Sequence, residues 1–157
     1  MDEAKVVIPG SVDDAEIIDR VLYEPSFFCE GRLAPSAFAL TGNNETYISV
    51  FRNSYYNLED IQLPKPRTPD DSAAGIAQLK AEEVRKIYSP NPAIVMAVSV
   101  EARKTKAFPF HAGIFTQIDN VPISSGNAHT TPLFMYVQKE LVHLSKVTLL
   151  KKMLKRN

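Results

Sequence analysis

Apolar residues come in short runs separated by proline, glycine and charge. The longest, residues 93–100, lies between Pro90 and Pro92 on one side and Glu101 with a basic cluster on the other, which is the pattern of a strand covered on both faces. A second run, residues 108–115, places Phe108, Phe110, Ala112 and Ile114 on one face if extended, and His111, Gly113 and Phe115 on the other. The rest of the chain is expected to pack around this pair, with Ala102-Arg103-Lys104-Thr105-Lys106 as an exposed basic turn between the two runs.

Upstream, Val6, Val7 and Ile8 before Pro9-Gly10 predict a short strand or arm. Ser11 is a plausible N-cap with Asp13, Asp14 and Glu16 in the first turns, and Ile17, Ile18, Val21 and Leu22 supply the apolar stripe of a short helix ending at Pro25. Residues 27–52 read as a hairpin. Phe28, Leu33, Phe38 and Leu40 lie in one arm, residues 47–52 form the other, and Thr41-Gly42-Asn43-Asn44 makes the turn. In the second arm Ile48, Val50 and Arg52 share one face and Tyr47, Ser49 and Phe51 the other. Pro64, Pro66 and Pro69 predict a surface loop. Asp70-Asp71-Ser72 then caps an expected helix over 73–88, with Ile76, Leu79, Val84 and Ile87 on one side. After a loop over 117–131, Thr131-Pro132 opens a last helix with the stripe Phe134, Val137, Leu141, Leu144 and Thr148. This order predicts a single α+β domain over 1–157, three helices on a mainly antiparallel sheet, with 1–10 as a possible arm and 147–157 as a basic-apolar tail.

Composition narrows the compartment and the partners. One cysteine, Cys29, excludes an internal disulfide and fits a reducing, cytoplasmic setting, where it is expected as a buried apolar thiol. The acidic start MDEAKVV lacks a leader pattern, and no window approaches the roughly 18 apolar residues of a membrane span. The net charge is zero, yet residues 1–30 carry eight acids against two bases, and residues 146–157 carry five bases and no acid. Such ends attract each other, within one chain or between copies.

Chemistry is sparsely signalled. His111 is the first candidate for an acid-base group, with Glu101, Arg52 or the Tyr55-Tyr56 pair as possible partners; the plainer reading is a partly buried histidine bonded to a backbone carbonyl. His111, His129 and His143 lack metal-ligand spacing, and no cofactor motif is present. Arg32, Arg52, Arg103, Lys104 and Lys106 with Tyr47, Tyr55 and Tyr56 would suit a nucleic acid, though ordinary mixed surface charge explains them as well. The tail is either an interaction element or a helix end whose lysines complement the dipole.

Three elements, Gly31-Arg32-Leu33-Ala34-Pro35-Ser36-Ala37-Phe38, Ser49-Val50-Phe51-Arg52 and His111-Ala112-Gly113-Ile114, together resemble a group of short, uncharacterised bacterial proteins with GRxxPxAF, SVxR and HAxI elements. The resemblance implies that Arg32, Ser49, Arg52 and His111 form one surface. Two functions are expected from these readings. The first is a non-enzymatic accessory or partner-binding protein of a bacterial defence or mobile-element system, acting on another protein or on itself through the last helix and tail. The alternative is a small metal-independent enzyme, ribonuclease-like or using ADP-ribosyl chemistry on a phosphate-containing or nucleotide substrate, with His111 as acid-base group, Arg32 and Arg52 on the anion, and a tyrosine or Ser49 orienting the substrate.

Overall fold

The computed structural model describes residues 7–40, 42–58 and 72–149. Their centre is a seven-stranded antiparallel sheet. In chain order its strands are β1 (Ile17–Glu24), β4 (Ile48–Arg52), β5 (Ser72–Lys80), β6 (Met96–Ala102), β7 (His111–Ile118), β8 (Val121–Pro122) and β9 (Lys146–Leu149); β2 (Phe28–Cys29) and β3 (Arg32–Leu33) form a separate small hairpin. The spatial order is β6-β7-β4-β1-β5-β9, with β8 on the end of β7. Two α-helices, α1 (Ala81–Arg85) and α2 (Pro132–Leu144), complete an α+β arrangement together with one-turn 3-10 segments.

The expected pair is present as β6 and β7, in register from Met96 opposite Ile118 to Ala102 opposite Ala112, but β6 is an edge strand of the sheet with only Val98 and Val100 buried, so the covering of both faces expected for residues 93–100 does not hold. Ala112 and Ile114 are buried against Val50 and Ile48, their register partners on β4. The face separation expected for this run holds within β7, with His111 and Gly113 on the opposite side, but Phe108 and Phe110 precede the strand and pack on Phe51, on the His111 side.

Three expectations are corrected. The three-helix count fails because the first predicted helix, around Ile17, Ile18, Val21 and Leu22, is β1. This strand is inner, between β4 and β5, and both of its faces are covered, so Ile18, Asp19, Val21, Leu22 and Tyr23 are all buried and no alternation is visible. The helix expected over 73–88 is mostly β5, and only Ala81–Arg85 is helical. Gly75 matters here. A Cβ at this position would lie 2.3 Å from the Thr148 carbonyl oxygen, so only glycine lets β9 approach so closely. The last helix stops at Leu144, where Ser145 turns extended at φ −75° and ψ 141°, and Thr148 belongs to β9 instead of the helical stripe.

The hairpin expected over 27–52 is also redrawn. Its second arm is β4, but β4 pairs with β1 and β7 and not with residues 28–40, which fold into the β2–β3 hairpin and the 3-10 turn Pro35–Phe38. The proline loop around Pro64, Pro66 and Pro69, the Asp70-Asp71 cap, Thr41, most of the 1–10 arm and residues 150–157 of the tail lie outside the described residues. Among the described residues no helix is long and apolar enough to cross a membrane.

Candidate functional site

Register places one row of side chains across four strands on the same face: Gln78 on β5, Asp19 on β1, Phe51 on β4 and His111 on β7. One step along, Ser49 lies opposite Gly113, and Tyr47 covers that glycine closely enough that a Cβ there would sit 2.6 Å from the Tyr47 ring. Tyr47 in turn contacts His111 and Phe115, with ring centroids 5.7 and 5.0 Å away, and the Arg103 guanidinium lies 5.1 Å above the Tyr47 ring. Phe51 meets Tyr56, Phe108 and Phe110 on its other flank.

His111 is buried, and its Nδ1 lies 3.0 Å from the Arg103 carbonyl. A carbonyl only accepts, so Nδ1 carries the proton and Nε2 is the basic nitrogen of the neutral ring. Burial pushes the imidazole below its ordinary titration range, and the nearby Arg103 and Arg20 charges add to this, while the carbonyl opposes it. The carbonyl-bound reading of His111 is thus the one observed for Nδ1, and Glu101 is not its partner: Glu101 is exposed on β6.

Of the four residues the resemblance joins, only Ser49 and His111 share a face. Arg52 follows Phe51 in the strand and so points to the opposite side, in the row of Ile18. There it is fully enclosed: Nε donates to Glu16 Oε1 at 2.8 Å, Nη2 to Glu16 Oε2 at 2.9 Å and to the Ser11 carbonyl, and Nη1 to the Pro9 carbonyl at 2.6 Å. Tyr55 stacks on the guanidinium at 4.9 Å. Burial raises the Glu16 carboxyl, but the bonds from Arg52 and from the Asp13 backbone N–H outweigh it and hold the group below its ordinary value. Arg52 is therefore a structural clamp on residues 9–16, leaving no donor turned to a substrate beside His111. Arg32 is exposed on the separate β2–β3 hairpin, and Cys29, its register partner, is exposed as well, against the expected burial. The basic-aromatic surface expected for nucleic acid loses Arg52, and also Tyr56, whose hydroxyl is committed to Asp19.

Asp19 is the residue that sequence reasoning missed. Its side chain is fully buried; Oδ2 accepts from the Tyr56 hydroxyl at 2.5 Å and from Asn53 at 2.7 Å, while among the described residues no donor reaches Oδ1. Burial raises the carboxyl above its ordinary range; Tyr56, Asn53 and the neighbouring Gln78 amide oppose this without cancelling it, although Gln78 does not close a hydrogen bond on Oδ1. Only the interruption of an apolar stretch by Asp19-Arg20 signalled it.

The other exposed feature is the sheet edge. Among the described residues β9 pairs with β5 alone, and its four residues are exposed, including the apolar Val147 and Leu149. At the opposite edge, α1 packs against β6, and Arg85 donates to the Val100 carbonyl at 2.8 Å and to the Val12 carbonyl at 2.6 Å. No protein-family model, no curated protein and no solved structure matches this chain.

Proposed function

We propose that this protein is an association module that recruits another polypeptide strand along β9, in keeping with the accessory, partner-binding role expected from the sequence. The observation that carries the reading is the β9 edge, which among the described residues has no strand beyond it, with its exposed Val147 and Leu149. Backbone donors and acceptors along such an edge are a template for an added strand, and edges kept solitary usually carry inward charges, bulges or a cover. The test is a pair of full-length proteins, wild type and V147K/L149K, compared by pull-down and by light scattering after size exclusion. Both side chains are exposed, so the variant keeps its fold, which far-ultraviolet circular dichroism checks. The variant is expected to lose the bound chain; identical behaviour of the two proteins refutes the reading.

One observation favours the catalytic alternative in a reduced form. His111 presents Nε2 as a base on the same face as Ser49, with Arg103 supplying the positive charge in place of Arg32 and Arg52. In that reading a phosphate-containing substrate would lie over Tyr47. A phosphodiester or nucleotide turnover assay in which H111Q retains full activity removes it.

A further inference from the structure

The groove between the helices suggests which strand β9 receives. It has a volume of about 290 Å³ and is floored by Ile87 and Leu144, with Tyr88, Tyr136, Glu83 and Glu140 around it. Tyr88 is 75% exposed. Lys86, the one base in the lining, is already bonded to Glu82 at 3.0 Å, whereas Glu83 and Glu140 have no ion pair among the described residues. Burial, then the Glu140 and Tyr88 charges, raises the Tyr136 hydroxyl above its ordinary titration range. Two carboxylates and two tyrosine rings over an aliphatic floor suit a peptide that mixes Lys or Arg with aliphatic side chains. Residues 150–157 of this chain, LKKMLKRN, have that composition, with four bases and no acid.

Direction decides which copy supplies them. β5 runs into α1, and Lys146 pairs with Gln78 near that end while Leu149 pairs with Gly75 farther away. β9 therefore starts beside Leu144 and leads about 10 Å away from the groove by Leu149, at ~3.3 Å per residue, so a chain filling its own groove would first have to reverse its course. In an antiparallel pair of β9 strands this reverses. Leu149 of a second copy then lies opposite Lys146, and its next residues run past Ser145 and Leu144 toward the groove. Eight extended residues span about 26 Å, enough to line it.

We infer that two copies of this chain pair antiparallel through β9, and that residues 150–157 of each copy occupy the Glu83, Tyr88, Tyr136 and Glu140 groove of the other. The inference rests on the β9-edge reading and names its partner. The full-length wild type is expected to have twice the 17.5 kDa chain mass. E83K/E140K alone and K151E/K152E alone should each weaken pairing by at least about tenfold, the scale of lost charge contacts. Mixing these two variants puts a basic segment against an acidic groove and an acidic segment against a basic groove, so the mixture should recover a mixed dimer. Dimers disrupted by V147K/L149K but indifferent to the charge variants would keep the edge reading and overturn the exchange. Recovery only when all four changes share one chain, with none on mixing, would place the segment in its own groove and also overturn it. A wild-type monomer at all concentrations removes self-pairing, and the pull-down then decides the edge separately.

Discussion

Replacing Glu16 by Gln tests whether Arg52 is a clamp or an anion site. Arg52 is 1% exposed and Glu16 about 10%, and their bond is bidentate. Removing one partner of a buried ion pair costs about 3–5 kcal/mol, because the remaining charge stays desolvated. The Pro9 and Ser11 carbonyls persist and the Gln amide oxygen accepts one bond, so the loss should fall at the lower end, about 3 kcal/mol. With a urea dependence of about 2 kcal/mol per molar, the unfolding midpoint drops by about 1.5 M. The double replacement E16L/R52M should recover most of this, since Pro9 and Ser11 are exposed and water can satisfy their carbonyls. Acid should act in the same direction. Because the Glu16 carboxyl is depressed in the fold, its contribution is complete above the ordinary value of 4.5 and is lost as pH falls through the lower folded value. A midpoint shift below about 0.3 M for E16Q would refute the clamp.

Other outcomes follow from the same geometry. D19N should match or exceed wild-type stability at pH 7, by about 1 kcal/mol, because it removes a buried charge with one unsatisfied oxygen; the raised folded pKa makes the Asp19 contribution best in acid and progressively lost as pH rises, so the gain should vanish near pH 4 in urea titrations. For His111 the folded pKa is depressed, so its neutral form stabilises the fold above about pH 6.5 and this is lost on acidification; wild type should lose more stability than H111Q between pH 7.5 and 5.5, and parallel losses would contradict the burial argument. G113A should displace the Tyr47 ring and cost about 1–3 kcal/mol, seen as a changed near-ultraviolet dichroism signal with a lower melting midpoint, and an unchanged spectrum would contradict the contact.

The β6–β7 pair was legible because residues 93–100 and 108–115 are mostly apolar and flanked by strong turn signals, and alternation then placed His111 opposite Ala112 and Ile114 correctly. β1 was not legible, because a strand buried on both faces puts Ile17, Ile18, Val21 and Leu22 at spacings a helix also satisfies. β5 was misread for a related reason: Ala77 and Gly75 suit helix or loop by propensity, but here they are small because Ala77 is fully buried and β9 crosses close to Gly75. The site was half legible. Ser49 and His111 share a face as their alternation suggested, whereas the fate of Arg52 depended on Glu16, 36 residues earlier, and no local pattern links the two.

Arg85, anchored on Val12 and Val100, has a consequence for stoichiometry. It occupies the Val100 carbonyl at the β6 border, where α1 also packs, whereas among the described residues β9 at the other border pairs with β5 alone. In the antiparallel pair inferred above, each molecule would spend its β9 border on the other, so that assembly would terminate at two and would not propagate into a fibre.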